Sequence, residues 1–153
     1  MFINIVIGLF VIGITVTIQA LGTNFWLHHI EKYYKSLSDI KFDNKSVSLL
    51  IYTSFFLLLL HFIQSGIWAL TFYLLPGITE FETMEKAIYF SLVTFTTLGY
   101  GDITIGSTNR ILAGFEAING ILLIGWSTAF MFSVVQYIWN REFKSKNDKM
   151  NKK

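Results

Sequence analysis

With 153 residues, of which 53% are hydrophobic and only 14% charged, the chain falls well short of the roughly 25% charge of a soluble domain. That deficit and a mean hydropathy of +0.53 indicate a chain solvated largely by lipid. A net charge of +2 gives no footing for nucleic-acid binding, and the absence of cysteine excludes disulfides and thiolate metal sites.

The first apolar run, Phe2 to Leu21, carries no charge and predicts an N-terminal transmembrane helix over 1–22. A cleaved secretory signal is the competing reading. It needs a basic start, which is missing, and Ile18-Gln19-Ala20 makes a poor cleavage site. A cytoplasmic loop is expected over 23–48, with Lys32, Lys35, Lys41 and Lys45 set against Glu31, Asp39 and Asp43. A second membrane unit is expected over 49–139, and its outer helix over 49–75. Pro76-Gly77 stops that helix, because proline cannot continue the hydrogen-bond ladder.

The stretch from Pro76 to Arg110 is too polar for another crossing. Within it, 83–95 predicts a short helix, with Thr79-x-x-Glu82 and Thr83 as alternative caps. Glu82 and Glu85 suit the positive end of its dipole. Such a helix is about 20 Å long, enough to dip halfway into the bilayer and return. A threonine- and glycine-rich segment, 96–102, then leads to an inner helix over 111–139 and a basic tail over 140–153. The fold expected is an all-α membrane protein with three transmembrane helices and a re-entrant segment between the second and third.

Charge sets the orientation. The tail has Arg141, Lys144, Lys146, Lys149, Lys152 and Lys153 against Glu142 and Asp148. The middle segment is acidic, with Glu80, Glu82, Glu85, Asp102 and then Glu116 against Lys86 and Arg110. Basic loops stay inside, so the N-terminus is expected outside and the C-terminus in the cytoplasm, with Trp26 and Trp139 at the inner headgroups.

The most informative residues are Thr96-Thr97-Leu98-Gly99-Tyr100-Gly101-Asp102. At membrane depth, backbone N–H and C=O groups must find partners, and a dehydrated cation is a natural partner for free carbonyls. Gly99 and Gly101 visit positive φ cheaply, so backbone handedness can alternate and turn successive carbonyls to one axis. Gly-Tyr-Gly alone is a weak signal. The whole string, following a capped helix between two spans on the acidic side, is far more specific than a glycine turn in an outer loop.

This string resembles the T-x-G-Y-G selectivity filter of the potassium channel superfamily, and the similarity runs from Leu49 to about Trp139. The resemblance implies potassium ions held by the carbonyls of Thr97, Leu98, Gly99 and Tyr100, with Gly101 completing the filter and the Thr97 hydroxyl at its inner mouth. It makes Thr96, Asp102, Tyr89 and Phe90 supports of the filter, with Tyr100 turned toward Tyr89 and Phe90. Asp102 either concentrates cations at the outer mouth or ties the filter to the pore helix. Leu98 stands where some relatives carry Val or Ile, an apolar exchange that leaves selectivity intact.

The function implied is passive potassium flow across a plasma membrane. One loop supplies a quarter of a carbonyl ring, so a homotetramer in the lipid bilayer is expected. Potassium is the permeant ion; no cofactor and no catalysis are expected. Competing readings are a weakly selective cation channel, a silent subunit of a mixed channel, or a non-conducting scaffold. A phosphate-binding loop fails for want of a Gly-x-x-x-x-Gly-Lys pattern. No helix repeats arginine every third residue, so direct voltage sensing is not expected.

Gly120 is a candidate gating hinge or a packing glycine, while Gly114 and Gly125 suggest close helix packing. Glu116 bonds the pore helix or sits at the interface. His61 is expected packed and neutral, and His28 and His29 solvated in the loop. Ser127, Thr128 and Ser133 face the pore cavity or bond their own helix backbone.

Overall fold

The computed structural model describes residues 2–35, 44–106 and 109–150. The centre of the expected loop, 36–43, and the last residues of the tail, 151–153, lie outside the described residues, as do 107–108. Among the described residues there are four helices: α1 (Phe2–Lys35), α2 (Asn44–Leu74), α3 (Met84–Phe95) and α4 (Arg110–Met150). Three are long and apolar enough to cross a membrane, over Phe2–Lys32, Ser46–Leu74 and Arg110–Asn140. The protein is an all-α membrane protein.

Three boundaries differ from those expected, the first at α2, which begins at Asn44 rather than 49. α1 does not end at 22 but continues to Lys35, through the first part of the segment read as loop. Hydropathy falls there, yet no proline or glycine pair breaks the ladder. Trp26 and Ile30 still pack inward: the Trp26 ring stacks on Phe56 of α2 at 4.4 Å and its Nε1 donates to Thr53 at 2.9 Å. Trp26 is therefore wedged between helices. His28 and His29 lie on exposed positions of the same helix. α4 likewise runs on to Met150, into the segment read as a tail.

α3 is wedged between α2 and α4. Trp68, Phe72, Phe81, Phe90, Phe95 and Leu123 form the heart of one apolar cluster at its level. A second cluster, including Leu57, Leu60, Phe130 and Val134, lies where the three spans meet without α3.

α1 packs on α2 and α4 through its polar side. Its buried positions are Asn4, Gly8, Val11, Thr15, Gln19, Thr23 and Ile30, one stripe at helical spacing. Asn4 donates to Asn109 at 2.8 Å, and Asn119 donates to Thr15 at 2.7 Å. Gln64 donates to Gln19 at 2.8 Å, and Gln19 donates to Ser127 at 2.9 Å. Lipid tails are as apolar as leucine, so hydrogen bonds and close approach, not burial of oil, hold membrane helices together. Asn4 meets the start of α4 and Trp26 the first half of α2, so α1 begins on the same side as α3 and the filter segment.

Gln19→Leu is expected to cost about 1–2 kcal/mol by stranding the Gln64 amide and Ser127 together. Thr17→Ala on the exposed side, where the hydroxyl bonds only its own helix at Gly13, is expected to be near neutral. Thermal unfolding of the two variants in detergent checks the contrast.

Candidate functional site: the pore loop

α3 starts where a cap residue permits. Thr83 has extended φ and ψ of −134° and 152°, and its hydroxyl accepts from the Lys86 amide at 3.3 Å. Of the two candidate caps, Thr83 is the one used, and the Glu82–Lys86 pair at 2.6 Å adds an exposed ion pair of little energy. The helix ends at Phe95. Thr96 has helical torsions, and its hydroxyl donates back to the Leu92 carbonyl at 2.7 Å.

The next residues reverse direction. Thr97 donates to the Thr94 carbonyl at 2.9 Å, and the Leu98 and Gly99 amides both donate to the Val93 carbonyl, at 2.9 and 3.2 Å. The first three amides of the loop are thus spent on the last turn of α3. Among the described residues, none of the carbonyls of Thr97, Leu98, Gly99 and Tyr100 accepts a hydrogen bond. Torsions alternate in hand: φ is +59° at Thr97, +54° at Gly99 and +78° at Gly101, with Leu98 and Tyr100 between them at negative φ. The glycines take these values at little cost. Thr97 does not, because positive φ is rare for a β-branched residue. The glycine positions were readable from sequence; the third left-handed position, Thr97, had no such signal.

The outer end of the loop is tied to α3. The Tyr89 hydroxyl donates to the Asp102 carboxylate, and that bond, with the adjacent negative charge, raises the Tyr89 phenol above its ordinary pKa. Asp102 is thereby linked to α3. Phe90 looks mainly the other way: it is buried in an edge-to-face contact with Phe72 at 5.4 Å and a tilted one with Phe81 at 5.2 Å. Its ring secures α3 to α2. Leu98 and Tyr100 are exposed in the single chain, at 56% and 67%. Behind the loop lies a cavity of about 330 Å³ bordered by Tyr89, Val93, Gly99, Asp102, Ile105 and Ala113.

The ion channel family model matches residues 47–137, more than half of the chain. The chain belongs to that family. Similar proteins include human potassium voltage-gated channel subfamily A member 4, 36% identical over 67 residues, which are 42% of this chain and 10% of that protein. Rabbit potassium voltage-gated channel subfamily A member 5 is also 36% identical over 67 residues, or 42% of this chain and 11% of that protein. The match thus spans about a tenth of these relatives' length. It places the chain in the potassium channel pore-domain superfamily. No solved structure matches it.

In this channel family member the inner-helix glycines divide. A Cβ on Gly120 would stand 1.9 Å from the Phe95 carbonyl oxygen, so this glycine admits the end of α3. Gly114 and Gly125 have open space beside them, so the close packing expected there does not occur within the chain. Ser127 is buried against α1, accepting from Gln19, while Thr128 and Ser133 donate to the Ile124 and Ala129 carbonyls of their own helix. His61 is half-buried, bonded to Gln64 at 3.0 Å, with its ring 5.9 Å from Phe95.

Glu80 braces the channel's loops on the filter side. It accepts from the Gly106 amide at 2.6 Å and the Thr79 amide at 2.9 Å. Amide hydrogen bonds, first from its own backbone and then from Gly106, hold its carboxyl below the ordinary value of 4.5. A lowered carboxyl pKa contributes stability that is present above the ordinary value and lost as pH falls through the lowered one. Protection of the Gly106 amide from hydrogen exchange is therefore expected to exceed that in Glu80→Gln at pH 7. The excess should vanish below pH 4.5, in the range of the lowered value.

Proposed function

We propose that this protein is the subunit of a homotetrameric, potassium-selective channel of the plasma membrane, with its N-terminus outside and its C-terminus in the cytoplasm. The observation that carries this reading is the free row of carbonyls from Thr97 to Tyr100 on a backbone of alternating hand. Oxygens that accept from no donor at membrane depth need a substitute partner, and a cation shedding water supplies it. Potassium is favoured over other cations by the T-x-G-Y-G string and by similarity to two potassium channels across this region.

Assembly is supported by what one chain leaves bare. Leu98 and Tyr100 are large side chains in contact with little, and α4 exposes Ile118, Ile121, Leu122 and Phe132. One loop cannot surround an ion; four can, and closed four-fold symmetry does so with one sequence. The α3 C-terminus, carrying about half a negative charge, then points toward the axis and favours a cation at the inner mouth.

Purified protein reconstituted in planar bilayers under opposed K⁺ and Na⁺ gradients is expected to give a reversal potential near that of K⁺. Equal permeability would leave a weakly selective cation channel. A tetramer that passes no current would leave a silent subunit, and a monomer or dimer would leave a scaffold.

A further inference from the structure

Glu116 is fully buried, a carboxyl in the membrane-spanning part of α4. It meets the pore helix, as one of the two sequence readings had it. Ser91 Oγ of α3 bonds Glu116 Oε1 and donates to the Ser65 carbonyl of α2 at 2.7 Å, while Ser65 Oγ donates to Ser91 Oγ at 3.1 Å. Three helices therefore meet at one polar node. One turn further along both helices, Phe95 of α3 presses its carbonyl onto Gly120 of α4. The pairs Ser91–Glu116 and Phe95–Gly120 are each four residues apart on their own helix, so α3 and α4 run in register over two successive contacts. The filter begins at the next residues, and Val93, between the two contacts, receives the Leu98 and Gly99 amides.

We propose that Glu116 is a positioning residue of the filter: through Ser91 it holds the pore helix at the height and rotation that align the carbonyls of Thr97 to Tyr100. This rests on the reading of those carbonyls as a potassium filter. Packing alone does not account for a carboxyl here, since an apolar side chain of similar size stabilises a buried site as well or better. Unsatisfied buried polar groups also call for an explanation, and Glu116 Oε2, Asn119 Oδ1 and Trp68 Nε1 have no partner among the described residues. All three lie on the node's residue or one turn from a member of it. The molecule carries polar atoms where the filter-bearing helix is docked, at a cost that only geometry at that point repays.

Four variants test this: Glu116→Ala, Glu116→Gln, Ser91→Ala, and Ser91→Ala with Glu116→Ala. Each is assayed for tetramer by native mass spectrometry and for the K⁺/Na⁺ permeability ratio in bilayers. Glu116→Ala and Ser91→Ala are each expected to assemble and to lower the ratio about ten-fold or more. The double variant should be no worse than either alone, because both remove one link. Glu116→Gln keeps a hydrogen-bonding partner for Ser91 and should stay near wild type. Assembled single variants with the wild-type ratio, losses that add in the double variant, or a Gln variant as poor as Ala would each overturn the proposal. So would failure of both Glu116→Ala and Ser91→Ala to assemble, which would make the node a folding element. A wild-type protein without potassium preference would instead fail the filter reading itself.

Discussion

A Gly120→Ala protein is expected to lose the proposed potassium conductance together with most of its folded yield. The added methyl would lie 1.9 Å from the Phe95 carbonyl oxygen, 2.8 Å from its carbon and 3.1 Å from its Cα. All three are backbone atoms at the end of the pore helix, and none can rotate away as a side chain would. Overpacking a core usually costs about 1–3 kcal/mol when side chains can shift; here a whole helix end must move, and the filter moves with it. Gly114→Ala and Gly125→Ala serve as controls. Each has open space in the chain, and alanine in a helix interior gains up to about 1 kcal/mol over glycine. The hinge reading of Gly120 makes a different forecast, a protein that folds normally and opens abnormally. Tetramer yield and thermal stability, measured before any current, separate the two.

Much of the pore was legible because membrane spans and tight turns write themselves in few residues. Long uncharged runs, Pro76, the Thr83 cap and the glycines of the loop each act locally, so their positions in the chain determined their positions in the fold. What escaped was non-local. The end of α1 was placed where hydropathy drops, but a helix stops at a breaker or when its contacts stop, and Trp26 and Ile30 still have contacts. The packing role of α1 is hidden for a related reason. Its polar residues look like blemishes in an apolar helix until Asn4, Gly8, Thr15, Gln19 and Thr23 are seen to share one side. That spacing is visible in the sequence and was the available signal. Ser127, open between a cavity and its own helix, and Phe90, expected beside Tyr100, each face a different helix, which only packing reveals. No residue type in the sequence foretold the left-handed torsion at Thr97.

Gly99→Ala is expected to leave the proposed tetramer intact and abolish its proposed potassium selectivity. Nothing lies within 4 Å of the added methyl, so the substitution fails through torsion alone. At φ of +54° an L-residue bears a left-handed penalty of about 1–2 kcal/mol, and four chains of the proposed ring bear it together. Thr97 already holds one such torsion in each chain, a strain of order 1–3 kcal/mol, so the loop has little tolerance left. Relief comes by swinging the backbone to negative φ, which breaks the alternation and turns a carbonyl off the axis. An ion entering that ring then meets an amide where it needs an oxygen. Gly13→Ala is the matched control: also a glycine with free space around it, but in a helix, where alanine is at ease. Reversal potentials under K⁺ and Na⁺ gradients are the measurement. A Gly99→Ala channel with the wild-type permeability ratio would mean that the alternating backbone is not what selects the ion, because every other property of the site is unchanged by that one methyl.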